Sequence, residues 1–78
     1  MYEVKLPELG DGIETATVAC WHVQENDPVQ PEDDIVELVT DKASFQVQAG
    51  QAGIIKKIRV NEQQEATIGE VLAVIETP

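Results

Sequence analysis

The sequence predicts an all-β fold: a flattened β-barrel or sandwich of two four-stranded antiparallel sheets with internal pseudo-two-fold symmetry. Three observations predict it. Helical periodicity is weak throughout, and short β-branched runs broken by Gly, Pro, Asn or Asp recur instead. Apolar residues make up 42% of the 78, yet aromatics only 4%, so the core must be aliphatic and, in a chain this short, fully used. Finally, the chain repeats itself: shifted by 37 residues, 16–39 overlay 53–76.

The elements follow in order. Strands are expected over 2–6 (YEVKL), 16–23 (ATVACWHV), 35–40 (IVELVT), 43–48 (ASFQVQ), 53–60 (GIIKKIRV) and 71–76 (VLAVIE), with short pairing pieces near 28–30 and 65–68. Turn residues separate them, because Gly and Asn tolerate positive φ and Pro fixes it. Under the 37-residue shift Val18 meets Ile55, Trp21 meets Ile58, Val23 meets Val60, Glu25 meets Glu62, Ile35 meets Leu72 and Leu38 meets Ile75. Upstream, Leu6 matches Val47 if the loop 9–15 of the first half carries four extra residues. The two halves meet at Thr40-Asp41-Lys42-Ala43, an exposed hairpin expected to make a type I-like turn with some local twist or bulge, since Asp-Lys is not the Asn-Gly or Asp-Gly of the tightest hairpins. The symmetry-related place holds the chain termini.

Charge narrows the function. A net charge of −10 repels phosphate backbones and anionic membranes, so neither nucleic acid nor membrane is an expected partner. No run approaches the roughly 18–20 apolar residues of a membrane span. The start of the chain lacks the apolar core of a signal peptide. One cysteine, Cys20, cannot form an internal disulfide, and its apolar setting suggests a buried, inert thiol.

Catalytic constellations are scarce. His22 is the lone histidine, facing solvent or a sheet edge. Cys20 and His22, at i and i+2 on a strand, share a face, but no third group or oxyanion motif accompanies them. Glu32-Asp33-Asp34 lacks the spacing of a calcium loop and reads as a solvated turn. Residues 7–12 carry glycines without a basic residue or a following helix, so they are not a phosphate loop. The expected protein is not an enzyme in itself. Lys42 remains: it sits where the halves join, on a turn that projects, whereas Lys5, Lys56 and Lys57 lie within strands whose neighbouring side chains restrict access. An ordinary lysine is almost wholly protonated at neutral pH, so any attached acid must be activated by a separate ligase.

These residues resemble a known family. "VKLPELGDGIETATVACWHVQENDPV", "DDIVELVTDKASFQV", "AGIIKKIRV" and "IGEVLAVIE" together look like the lipoyl domain of the dihydrolipoyl acyltransferases of 2-oxo acid dehydrogenase complexes, with residues 1–78 as a single domain. The resemblance implies lipoic acid in amide linkage on Lys42. The arm would be reductively acylated by a thiamine-diphosphate-dependent 2-oxo acid dehydrogenase, discharged to coenzyme A at an acyltransferase domain, and reoxidised by dihydrolipoyl dehydrogenase. It further implies recognition by a lipoate ligase or lipoyl transferase through Asp41 and Ala43. A partner-recognition role is expected for the loop residues Asp11, Gly12, Ile13 and Glu14. The isolated domain would be a monomer, in a bacterial or archaeal cytoplasm or a mitochondrial matrix. Biotinyl carrier domains share the fold but usually flank their lysine with methionines; here the flanks are Asp41 and Ala43. An unmodified barrel-sandwich interaction module is the third reading. The chain departs from the family pattern at Asn26, Gln63 and Glu32, where glycine is usual, near Gly50, where proline is usual, and at Val39, where glutamate is frequent.

Overall fold

A computed structural model describes residues 1–10 and 12–78. The strands are β1 (Tyr2–Lys5), β2 (Thr15–Trp21), β3 (Pro28–Val29), β4 (Asp34–Val39), β5 (Ser44–Gln48), β6 (Gly53–Ile58), β7 (Glu65–Thr67) and β8 (Val71–Glu76). All six long strands and both short pieces lie where the alternation places them, within two residues at each end.

The strands form two antiparallel sheets, ordered β1-β8-β6-β3 and β5-β4-β2-β7. The sheets stack as a sandwich, and the barrel half of the sequence expectation is corrected: they do not close on one another. Replacing each strand by its repeat mate (β1 by β5, β8 by β4, β6 by β2, β3 by β7) turns one order into the other. Each sheet therefore takes two strands from each half, and neither half has a sheet of its own. The backbone bonds obey the same relation. The bond from His22 N–H to Ile35 O (2.8 Å) has its copy at Arg59 N–H to Leu72 O (2.8 Å), and that from Asn26 N–H to Ile55 O (2.7 Å) at Gln63 N–H to Val18 O (2.8 Å).

Register corrects one expectation. Val36 pairs with Val47 and Lys5 with Val71, while Ala73 pairs with Val4 and Asp34 with Gln48. Val4 is thus the mate of Val47, and Leu6 that of Ala49. Nine residues separate Leu6 from Ala16, whereas three separate Ala49 from Gly53, so the first-half loop is longer by six residues. The four-residue estimate fails for a physical reason. A slip of two residues keeps every side chain on its face, so the apolar pattern alone cannot detect it.

The core is what the repeat implies: Val18 and Ile55, Ile35 and Leu72, Leu38 and Ile75 are all fully buried, with Val4, Leu6, Val36 and Ala73 beside them. No charged or polar residue is buried among those described. A bulge at Ala19 in β2, repeated at Lys56 in β6, resets the alternation. It lets Val18 and Trp21, three residues apart, both turn towards the core. In β6 it leaves Lys56 and Lys57 exposed in succession.

The repeated glutamates have a structural use. Glu62 Oε2 accepts the Trp21 N–H (3.0 Å), and Glu25 Oε2 accepts the Ile58 N–H (3.0 Å). Each carboxylate is carried by the turn of one half and ties down a strand of the other. Trp21 adds a bond from its indole Nε1–H to Val60 O at 2.8 Å.

Candidate functional site

Thr40, Asp41, Lys42 and Ala43 connect β4 to β5. Val39 pairs with Ser44, and the Thr40 N–H donates to Ala43 O at 2.8 Å, leaving Asp41 and Lys42 at the tip. Neither tip residue has positive φ. That rules out the primed hairpin turns and fits the type I geometry expected from the sequence. The Thr40 hydroxyl closes the turn. Its Oγ1 accepts the N–H groups of Lys42 and Ala43 and donates to Ala43 O, each at 3.2 Å. Thr40 was not among the sequence candidates, although a threonine at the first position of a turn is a recognised side-chain closure.

Asp41, Lys42, Ala43 and Ser44 are all exposed. Exposure does not distinguish Lys42, because Lys5, Lys56 and Lys57 are exposed as well, contrary to the expectation that strand neighbours restrict them. The distinction lies in the backbone. Those three lysines stand on hydrogen-bonded strands, and Lys5 approaches Glu3 at 4.0 Å. Lys42 stands at the apex of a turn, and its amine makes no ion pair among the described residues.

The long first-half loop arrives at the same end of the sandwich. It leads into Thr15, and Thr17 pairs with Val39, next to the hairpin. Thr15, Thr17, Val39, Thr40, Asp41 and Glu65 line one shallow hollow there. Within the loop, Gly10 (φ 138°) and Gly12 (φ 79°) take conformations that side chains resist, Ile13 is half-buried, and the Glu14 carbonyl accepts the Ile68 N–H at 3.0 Å. Gly12, Ile13 and Glu14 thus lie at the hairpin's end of the molecule. Asp11 lies outside the described residues. The connection 68–70 between β7 and β8 is short, which keeps the start of β8 at this end. Glu76, and Tyr2 beside it through the pairing with Ile75, lie at the other.

The remaining candidates fall elsewhere. Asp33 Oδ2 accepts the Gln30 N–H at 2.8 Å, so the acidic run closes a turn as expected. Cys20 is only half-buried, not the enclosed thiol expected, because the bulge at Ala19 turns it outwards. It shares that outer face with His22, and the fold adds Glu37, which neither spacing nor alternation linked to them.

With the geometry in hand, comparison with known proteins is decisive. The model of the Biotin_lipoyl family, described as biotin-requiring enzyme, matches residues 2–75. The chain belongs to this biotinyl/lipoyl attachment family. Among family relatives, the dihydrolipoyllysine-residue succinyltransferase component of the 2-oxoglutarate dehydrogenase complex of Staphylococcus saprophyticus is 39% identical over 75 residues, covering 96% of this chain and 18% of the relative. The mitochondrial lipoamide acyltransferase component of the branched-chain alpha-keto acid dehydrogenase complex of Bos taurus is 40% identical over 75 residues, covering 96% of this chain and 16% of the relative. The chain thus spans less than a fifth of these relatives. A solved structure, the lipoyl domain of the Azotobacter vinelandii 2-oxoglutarate dehydrogenase complex, superposes with a TM-score of 0.79 at 32% identity, covering 97% of this chain and 96% of that one.

Proposed function

We propose that residues 1–78 form one lipoyl carrier domain, with lipoic acid attached to the Nζ of Lys42. The observation that carries this reading is the placement of Lys42 at an exposed turn apex between two symmetric halves of a lipoyl-type sandwich. The residues fit such a group. The amine has open access, and the Thr40 hydroxyl fixes the backbone on which it stands. Among the described residues, none encloses a long side arm at the tip. When bound, lipoic acid supplies a dithiolane that takes up electrons with an acyl group and passes both on.

The chain's own residues present that arm and supply no catalytic group. Asp41 and Ala43 flank the amine and give a ligase or transferase its recognition surface. Gly12, Ile13 and Glu14, at the same end, together with their sequence neighbour Asp11, form the contact for a thiamine-diphosphate-dependent 2-oxo acid dehydrogenase. The further partners are an acyltransferase domain and dihydrolipoyl dehydrogenase, and the setting is a cytoplasm or a mitochondrial matrix. Tethering the arm to a small, soluble domain raises its effective concentration at each partner's active site. Attachment also removes one of only five basic charges from the chain.

The test is the intact mass and peptide map of the chain made in cells supplied with both lipoate and biotin. A lipoyl increment on Lys42, absent from a folded Lys42→Ala variant, supports the proposal. A biotinyl increment, or none in a host with an active lipoyl ligase, refutes it.

A further inference from the structure

A second group of side chains lies on the outer face of the β5-β4-β2-β7 sheet, away from the hairpin tip. Cys20 pairs across β2 and β4 with Glu37, and Glu37 pairs across β4 and β5 with Gln46. His22 follows Cys20 on the same face. The ligand atoms of Cys20, His22 and Glu37 lie within 4.8 Å of one another. We propose that these three residues form a binding site for a zinc-type divalent cation, with water as the fourth ligand.

The chemistry of the donors selects the ion class. One thiolate, one imidazole and one carboxylate join a soft, a borderline and a hard donor; Zn²⁺ accepts all three, whereas the sulfur and nitrogen disfavour Mg²⁺ and Ca²⁺, which prefer all-oxygen shells. Around tetrahedral Zn²⁺, with bonds of about 2.0–2.3 Å, donors stand about 3.3–3.7 Å apart. The ligand atoms, bounded here by 4.8 Å, must therefore draw closer on binding, and the exposed His22 and half-buried Cys20 and Glu37 side chains are the parts that would move.

Gln46 gives the site a supporting shell. Its Nε2 donates to Glu37 Oε1 at 3.1 Å, and its Oε1 meets His22 Nε2 at 2.9 Å. A carboxylate only accepts, so the amide of Gln46 must turn its NH₂ to Glu37 and its oxygen to His22. His22 Nε2–H then donates to Gln46, and in the neutral ring Nδ1 carries the lone pair that a metal would take. Glu37 keeps Oε2 free. A ligating histidine anchored through its other nitrogen is the usual pattern of protein metal sites. On binding, the Cys20 thiol gives its proton to solvent, the imidazole binds neutral, and no oxidant or reductant takes part.

The experiment uses the chain made without lipoate, so that no dithiol competes, with Co²⁺ as the spectroscopic probe and Zn²⁺ as its displacer. One equivalent of Co²⁺ with a thiolate-to-cobalt charge-transfer band is expected, and the band disappears in Cys20→Ser. His22→Gln and Glu37→Gln weaken binding at least roughly tenfold, and Gln46→Ala weakens it by roughly 10–100-fold while keeping the band. In the unsubstituted chain, Zn²⁺ slows alkylation of the single cysteine at least roughly tenfold. Binding without the charge-transfer band, a band that survives Cys20→Ser, or alkylation indifferent to Zn²⁺ overturns the proposal. The alkylation measurement needs no variant, so a substitution that impairs folding leaves the test intact.

Discussion

Gln63 has φ of 72°, and its repeat mate Asn26 has φ of 78°. Both sit at the turn that sends a backbone N–H into the opposite sheet, so the conformation is imposed by the fold. A non-glycine residue in the left-handed region costs about 1–2 kcal/mol. Glycine removes that cost but loses more freedom on folding, by about 0.5–1 kcal/mol. The backbone bond from Gln63 N–H to Val18 O survives the change, and the Gln63 side chain is exposed. Gln63→Gly is therefore expected to stabilise by about 0.5–1 kcal/mol. For a domain of this size that raises Tm by about 2–8 °C. Asn26 is the internal control: asparagine enters the left-handed region readily, so Asn26→Gly should gain less. Thermal unfolding followed by circular dichroism or calorimetry reads both. A Gln63→Gly variant no more stable than the parent, or a larger gain at Asn26, would refute the assignment of strain to these turns.

Other predictions follow from the packing and the hairpin. At Gly53 an added Cβ would collide with the backbone carbonyl oxygen of Glu76 and meet Ile75 Cγ2 at 2.6 Å, so Gly53→Ala should cost about 1–3 kcal/mol or more in denaturant unfolding. Glu62→Ala leaves the Trp21 N–H without its acceptor, and a loss of about 1 kcal/mol is expected, with Glu25→Ala matching it through Ile58. Thr40→Val removes the hydroxyl that closes the turn; about 1 kcal/mol of stability should go, together with a slower rate of lipoylation at Lys42. Asp41→Ala and Ala43→Met should slow lipoylation with Tm nearly unchanged, and a large fall in Tm would make that corner structural instead. Replacing residues 11–14 should slow reductive acylation and spare lipoylation; equal effects on both would remove the loop from partner recognition.

Most of the fold was legible because the sandwich is written twice. Alternation marks each strand, and a constant 37-residue spacing aligns Ile35 with Leu72 and Leu38 with Ile75. What escaped is non-local. The bulge at Ala19 decides which way Cys20 points, and the β2–β4 register decides that Glu37 meets it. Neither is encoded in a local pattern. The hairpin showed the opposite balance: the turn and its lysine were plain from position and resemblance, but the closing role of Thr40 needed atoms. Val39, where the family often has glutamate, faces Thr17 and Ser44 across its neighbours, and nothing in the structure explains that substitution.

The central claim is that Lys42 carries an arm which loads and unloads, and mass spectrometry of the working domain tests it most directly. The lipoylated chain is incubated in turn with pyruvate, 2-oxoglutarate and branched-chain 2-oxo acid dehydrogenases and their substrates. The cognate acyltransferase and coenzyme A follow. The account predicts that one enzyme adds an acyl increment to the lipoyl-bearing peptide around Lys42 and that coenzyme A with the acyltransferase removes it. A lipoylated chain that none of the three enzymes acylates would contradict the carrier function, as would an acyl group found on any other residue.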